Sequence, residues 1–423
     1  MATSDVDVPA DLTLRIGSPV HGGHCLARMD DGRIVFVRHA APGELVRARP
    51  TATGKVWRAN AVEILEPSPD RVASPWPAAG PGGVGAVELA HLSRPAQLRW
   101  KADVVRDALR RIARLDLEVS VTDPEPGGDG WGTRTRISLT CDAEGRPGMH
   151  AHRSDRIVPL TDMPLAVESL RELDVFSRRW EPGTALTLVA PSVGAPVVLA
   201  DGAPVAHPGS EPREFVTERV VETVSEPGVR HCFDYEVAAG GFWQSHRAAP
   251  RTLVAAVLTA AGLAGGAGRG GHLLDLYSGA GLFSLPLARA VGAGGAGGSV
   301  LAIEGDRRAA AAARRNARGL ANLHGRRGDV ARLLAGGADG RGRRDAPAAI
   351  VLDPPRTGAG RRALEQIIER RPGRIVYVAC DPAALARDLA HAAGAGYRAE
   401  QVQAHDLFPH THHIEAVTVL RRE

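Results

Sequence analysis

Cys380 stands where the apolar run Arg374-Ile375-Val376-Tyr377-Val378-Ala379 ends against Asp381-Pro382. A thiol between a strand end and a helix start is placed to act as a nucleophile, because a helix N-terminus favours the thiolate and is expected to lower the thiol pKa. A lone cysteine in apolar sequence is otherwise most often a small buried hydrophobe. Three nearby segments change that balance. Asp275-Leu276-Tyr277-Ser278-Gly279-Ala280-Gly281 has glycines where a strand must turn sharply and its backbone must approach a ligand. Asp353-Pro354-Pro355-Arg356 fixes an acidic side chain at a strand tip with two consecutive prolines, and His413-Ile414-Glu415 supplies a further carboxylate.

The glycine turn alone is weak evidence of a cofactor, since Ser284 interrupts the spacing of a dinucleotide fingerprint. Glu304, at the end of the next apolar run, strengthens it: an acidic group there can accept hydrogen bonds from both ribose hydroxyls. Asp329, one helix later, is placed to meet an adenine edge. These residues indicate a nucleoside cofactor and leave nicotinamide and S-adenosylmethionine both open. His410, His412 and His413 lack the carboxylate or cysteine spacing of a metal site, and no metal is expected.

These residues need a scaffold that brings strand ends together. From Arg251 onward apolar strands alternate with helical segments: helix 251–263, strand 272–276, helix 282–291, strand 300–303, helix 306–319, strand 349–352, helix 360–370, strand 374–379 and helix 383–393. That alternation predicts a doubly wound, largely parallel α/β sheet that binds ligands at the carboxyl ends of its strands. Upstream, residues 12–65 read as short strands broken by Gly and Pro turns, the pattern of a small β-barrel. Arg47, Arg49, Lys55 and Arg58 in its second half form either a solvated face or an RNA-contacting one. A Pro/Gly-rich connector runs from Pro67 to Gly85. Leu98, Ala102, Val105, Leu109 and Ile112 then predict one packed face of a helix over 94–115, and residues 119–237 return to short strands.

At 423 residues the chain should hold two or three domains, and with 44% hydrophobic but only 4% aromatic residues its cores must rely on Leu, Val, Ile and Ala. A net charge of +4 is compatible with a polyanionic partner but too small to argue for one. Cys25, Cys141, Cys232 and Cys380 show no Cys-x-x-Cys spacing, which speaks against a disulfide framework or zinc site and for a reducing cytosol. No apolar run approaches the ~20 residues that span a bilayer, so a soluble, cytoplasmic protein without a membrane partner is expected.

Phe242-Trp243-Gln244, Asp275 to Gly281, Asp353-Pro354-Pro355-Arg356, Ala379-Cys380-Asp381-Pro382 and Phe408 to Glu415, taken in that order, resemble the motifs of the RNA uracil-5-methyltransferases. Residues 12–65 resemble the TRAM domain of the ribosomal RNA branch. The resemblance implies three parts: a TRAM/OB-like β-barrel over 1–67, a central β-rich domain over 68–234 whose helix 94–115 packs on the catalytic domain, and a Rossmann-like, class I S-adenosylmethionine-dependent methyltransferase domain over 235–423. It makes Cys380 the nucleophile that adds to uracil C6 and Glu415 the acceptor of the C5 proton. It assigns Gln244, Tyr277, Glu304, Asp329 and Asp353 to S-adenosyl-L-methionine, and Phe242 and Arg356 to the RNA, with Phe242 stacking on an extruded base.

The sequence departs from the family pattern in two respects. Trp76, Val84, Val87 and Met163 occupy positions where many ribosomal RNA members carry the four cysteines of an iron–sulfur cluster, so no cluster and an apolar substitute are expected. Ser278 replaces a usual Cys, Leu282 a usual Asn beside the methionine moiety, and His246 a usual Asn. A monomer acting on ribosomal RNA is the favoured expectation; transfer RNA is the nearest alternative, and an inactive RNA-binding relative a further one.

Overall fold

The computed structural model describes residues 11–266, 270–295, 297–337 and 346–422; the first ten residues of the expected barrel segment lie outside these. Strands β1 (Leu12–Val20), β2 (His24–Arg28), β3 (Ile34–Arg38), β4 (Leu45–Thr53) and β5 (Trp57–Glu66) close a barrel in the order β1-β2-β3-β5-β4. Alternation along β4 buries Val46 and Ala48 and turns Arg47 and Arg49 outward. Arg47 meets Glu63 at 2.9 Å and Arg49 meets Asp11 at 3.1 Å, so half of the barrel's basic group is already engaged in surface ion pairs.

Helix α1 (Arg94–Ala108) follows the connector, with Pro95 in its first turn, and passes into a π-helical turn at Leu109–Ala113. The expected single packed face is corrected here. The π turn rotates Ile112 to 41% exposure, while α1 packs on two sides. Ala102, Val105 and Leu109 join the catalytic core, and Ala96, Trp100 and Val104 pack with Ala41, Leu89 and Leu92 toward the barrel.

The next elements are β6 (Val119–Thr122), β7 (Arg136–Cys141), β8 (Pro147–His150), β9 (Ile157–Pro159), α2 (Glu168–Arg171), β10 (Ala185–Val189), β11 (Val197–Ala200) and β12 (Ala203–Val205). All but β6 of these strands form an antiparallel sheet, β12-β11-β10-β7-β8-β9, followed by the hairpin β13 (Phe215–Glu222) and β14 (His231–Ala238). Trp76, Val84, Val87 and Met163 are buried together in one apolar cluster with Ile137, Leu139, Leu165 and Leu186.

The catalytic part contains α3 (Ala249–Ala260), β15 (His272–Leu276), α4 (Ser284–Gly292), β16 (Ser299–Glu304), α5 (Arg307–Asn316), β17 (Leu323–Arg327), α6 (Val330–Ala335), β18 (Ala349–Leu352), α7 (Gly360–Glu369), β19 (Arg374–Ala379), α8 (Pro382–Ala393), β20 (Tyr397–His405) and β21 (Glu415–Arg422). Its eight-stranded sheet has the order β17-β16-β15-β18-β19-β21-β20-β6, and the chain reverses its direction of growth between β15 and β18. Three features differ from the sequence expectation. β17 and α6 were not foreseen because Leu323-His324-Gly325-Arg326-Arg327 is an edge strand with one buried residue and no apolar run. β21 runs antiparallel between β19 and β20. β6, expected in the central domain, pairs in parallel with β20 and ends the catalytic sheet.

Candidate active site

The strand register aligns the candidate residues along one edge of the sheet. Leu276 pairs with Ile303 on one side and Leu352 on the other, so Tyr277, Glu304 and Asp353 leave their strands at the same level. Backbone bonds stitch these tips together: Ser278 N–H donates to Ile303 O at 3.1 Å, Asp353 N–H to Leu276 O at 3.3 Å, and Gly328 N–H to Glu304 O at 2.9 Å. On the far side, the β19–β21 pairing runs from Arg374↔Arg421 to Ala379↔Ala416. One further step of that register sets Cys380 opposite Glu415. Directly opposed residues of an antiparallel pair have Cβ atoms about 4.5–5.5 Å apart.

The glycine turn is shaped for a ligand. Tyr277 adopts a left-handed conformation, φ 61°, that non-glycine residues rarely hold, and Gly279 follows at φ 56°. A Cβ added at Gly279 would meet nothing within 4 Å, so the backbone there borders open space. Gly279 N–H donates to Glu304 Oε2 at 2.8 Å and Asp306 N–H to Glu304 Oε1 at 2.6 Å, which holds the Glu304 carboxylate beside the turn. Asp275 is fully buried beneath; Ser284 Oγ donates to its Oδ2 at 2.5 Å, and its Oδ1 has no partner among the described residues. Asp329 caps α6, accepting from Arg332 N–H at 2.9 Å, and its charge is felt at Tyr277.

Four carboxylates crowd this edge. Burial first, then Asp353 and Glu304, pushes Asp275 up to about 7. Burial and Glu304 push Asp353 up to about 7, and burial and Asp353 raise Glu415 well above the usual range. A cationic group bound here would relieve that repulsion. The donor set and the open backbone at Gly279 therefore fit a nucleoside bearing a sulfonium and an ammonium group.

The same crowding corrects one expectation. Cys380 is half-buried, and burial, Glu415 and Asp353 push its thiol up to about 11 rather than down. The helix N-terminus that was expected to stabilise the thiolate is occupied: Asp381 caps α8 by accepting from Ala384 N–H at 2.7 Å. Arg356, exposed at the turn after β18, acts the other way and lowers the thiol pKa. That turn is held from behind by Asp388, which accepts from Ala359 N–H at 2.8 Å and from Tyr377 Oη at 2.5 Å.

Phe242 is 80% exposed, the most exposed large apolar side chain described. Its neighbour Trp243 is buried with its ring 5.1 Å from Tyr235, whose hydroxyl donates to Leu282 O at 3.0 Å. The Phe242-Trp243-Gln244 loop is thereby tied to the glycine turn. Gln244 is buried and borders a cleft of about 740 Å³ between the β13–β14 hairpin and α3, which also takes in His246. Leu282 and Ser278 are buried, and the Leu282 backbone is engaged by Tyr235.

Sequence reasoning missed the barrel's part in this site. His21, in the β1–β2 turn, lies 3.3 Å from Asp381, and that hydrogen bond holds the Asp381 carboxyl down at about 2. His412 contacts the buried Glu88 at 3.4 Å and stacks edge-on against His21 at 5.6 Å. Gly23 permits this close docking, since a Cβ there would strike Glu88 at 2.6 Å. The His21-Gly22-Gly23 triplet was the only sequence signal, and it reads simply as a hairpin turn.

The tRNA (Uracil-5-)-methyltransferase family profile matches residues 344–423, the segment that holds Asp353, Cys380 and Glu415. An uncharacterised RNA methyltransferase of Streptomyces coelicolor is 39% identical over 98% of this chain and 93% of its own length. The 23S rRNA (uracil(1939)-C(5))-methyltransferase of Halomonas elongata is 31% identical over 95% of this chain and 87% of its own. Among solved structures, the Pyrococcus abyssi tRNA (uracil-54, C5)-methyltransferase with bound S-adenosyl-L-homocysteine shares the fold, with a TM-score of 0.67, 22% identity and coverage of 97% of this chain and all of that one. Likeness over the whole length, with the expected side chains on adjacent strand ends, means that this chain belongs to the RNA (uracil-5-)-methyltransferase family, whose members use S-adenosylmethionine.

Proposed function

We propose that the protein forms 5-methyluridine in ribosomal RNA through covalent addition of Cys380 to uracil. The observation that carries this reading is a thiol and a carboxylate one step beyond the last β19–β21 pair, Ala379↔Ala416, close enough for the Glu415 charge to act on Cys380. Uracil C5 is a poor carbon nucleophile, so the Cys380 thiolate first forms a bond to C6, and the C5–C6 π electrons move toward C5 and O4 as an enolate. When bound, S-adenosylmethionine would supply the methyl group for C5, its S–CH3 bond breaking to leave the neutral thioether. Glu415 then accepts the C5 proton, the released pair restores the C5–C6 double bond, and the S–C6 bond breaks to return the thiolate. Both groups must be ionised at their steps, and a cation beside Asp353 and Glu304 favours that state by offsetting the neighbouring negative charge.

Ribosomal RNA is favoured by the similarity to the Halomonas elongata enzyme and by the N-terminal barrel. Phe242 offers a face on which an extruded base can stack, and Arg356 stands at the same edge as Cys380 for the adjoining phosphate. Mapping 5-methyluridine in total RNA from cells with and without the gene tests the reading. Loss of one site in ribosomal RNA is expected; loss from transfer RNA would move the substrate, and an unchanged map would refute the activity.

A further inference from the structure

On the far edge of the sheet, α5 and β17 carry an unusual density of arginine. Arg307 and Arg314 lie seven residues apart on α5, as do Arg308 and Arg315, so each pair shares a helix face over roughly 10 Å of axis. Arg327 ends β17 beside them. The opposite face of α5 is buried through Ala310 and Ala312, which fixes the arginines outward. All five line a cleft of about 920 Å³ whose other wall is the β11–β12 hairpin at Gly202 and Pro204 together with Phe215 at the start of β13.

Several arginines elsewhere on the protein are paired, such as Arg15 with Glu66, Arg99 with Asp70 and Arg219 with Asp234. In the cleft only Arg315 has a carboxylate partner, Glu236, among the described residues. Arg307, Arg308, Arg314 and Arg327 are exposed and line the cleft without an ion pair among the described residues; Glu214 lies on the opposite rim, Asp306 precedes Arg307, and Glu304 pairs with Arg327 in the β16–β17 register. Phe215 is 42% exposed, and the Arg315 guanidinium lies 4.8 Å over its ring, which prepares a flat face beside the positive wall. Unpaired guanidinium groups spread over that length, with an aromatic ring among them, match a run of backbone phosphates and an unstacked base better than a single anion.

We propose that this cleft is a second docking surface for the substrate RNA, gripping its sugar-phosphate backbone away from the reacting uridine. The inference rests on the reading of the protein as an RNA enzyme. Four strand spacings separate β17 from β19, which puts the groove roughly 19 Å from the Cys380 strand. RNA long enough to fill both places gains the extra contacts; a short oligonucleotide seated at Phe242 does not.

The test uses Arg314→Glu combined with Arg327→Glu in the full-length protein, with Arg106→Glu combined with Arg111→Glu as a control of equal charge change. Binding of in vitro transcribed 23S ribosomal RNA is measured against salt, next to a short single-stranded uridine oligonucleotide. The groove variant should lose affinity for the long RNA more than tenfold at low salt, with the slope of log K against log salt shallower by about 2, as for two lost phosphate contacts. Its affinity for the short oligonucleotide and its melting temperature should match the control. Equal long-RNA affinity and slope in the two variants would overturn the proposal. Because the readout is binding, a protein that bound in this way yet made no 5-methyluridine would refute the proposed activity and leave the groove standing.

Discussion

Iodoacetamide should alkylate Cys380 slowly, and the pH dependence of that reaction measures the electrostatics of the site. Cys25 and Cys141 are buried and Cys232 is exposed, so a Cys232→Ser background isolates Cys380. Its thiol is pushed from the usual 9.0 up to about 11, which lowers the thiolate fraction at pH 8 by about 100-fold. A more basic thiolate is also a better nucleophile, and a Brønsted slope near 0.4–0.5 returns a factor of roughly 6–10. The net expectation is a rate about tenfold below that of an ordinary exposed thiol, rising with pH and levelling only near 11. Glu415→Gln removes the first of the charges that raise the thiol pKa, so its inflection should move down toward 9. Saturation with S-adenosylmethionine should act in the same direction through its positive charge. Mass spectrometry of the Cys380 peptide across a pH series gives the curve. An inflection at or below 9 in the unliganded protein would show that the α8 N-terminus dominates and that the argument from burial and crowded carboxylates is wrong.

Cys380→Ala should abolish methylation, whereas Glu415→Gln should still transfer the methyl group and accumulate a covalent protein–RNA adduct visible on a denaturing gel; normal turnover by either variant contradicts the assigned roles. Phe242→Ala should lower kcat/KM for RNA by roughly 5- to 150-fold, the worth of about 1–3 kcal/mol of stacking, with S-adenosylmethionine affinity by calorimetry unchanged. Because Asp275 is raised to about 7, the folded state keeps a proton that the unfolded chain has lost, so apo stability should fall as pH rises from about 4 to 7, by up to about 4 kcal/mol from this group. Asp275→Asn should flatten that decline in urea unfolding, and an unaltered pH profile would refute the assignment. Met163→Asp would place an unpaired charge in the cluster with Trp76, Val84 and Val87 and should cost several kcal/mol of stability, read as a lowered urea midpoint.

The strand ends that carry Glu304, Asp353 and Cys380 were legible because β16, β18 and β19 are buried runs of branched apolar residues, whose limits show plainly in a sequence. β17 was not, since its exposed Gly and Arg residues carry no such signal, and the antiparallel sense of β21 follows from chain path rather than composition. Side-chain identity also singled out Cys380 and Glu415, which lie at neighbouring strand ends, but the expected lowering of the Cys380 thiol pKa is reversed. That pKa depends on how many carboxylates the sheet gathers around Cys380, a sum over strands far apart in sequence. The contact between His21 and Asp381 was invisible for the same reason, since its partners are 360 residues apart.

The last strand of the catalytic sheet has a consequence for biosynthesis. β6 leaves the ribosome early, but Val119 finds its neighbour Val402 only after about 280 further residues are made, on the order of tens of seconds at ordinary elongation rates. The central sheet and its hairpin are thus spliced into the catalytic fold, which cannot finish until the C-terminus arrives. For that interval β6 is a strand without its partner, and Ser120, Thr122 and the preceding Glu118 make it less apolar than the buried strands of the sheet it joins.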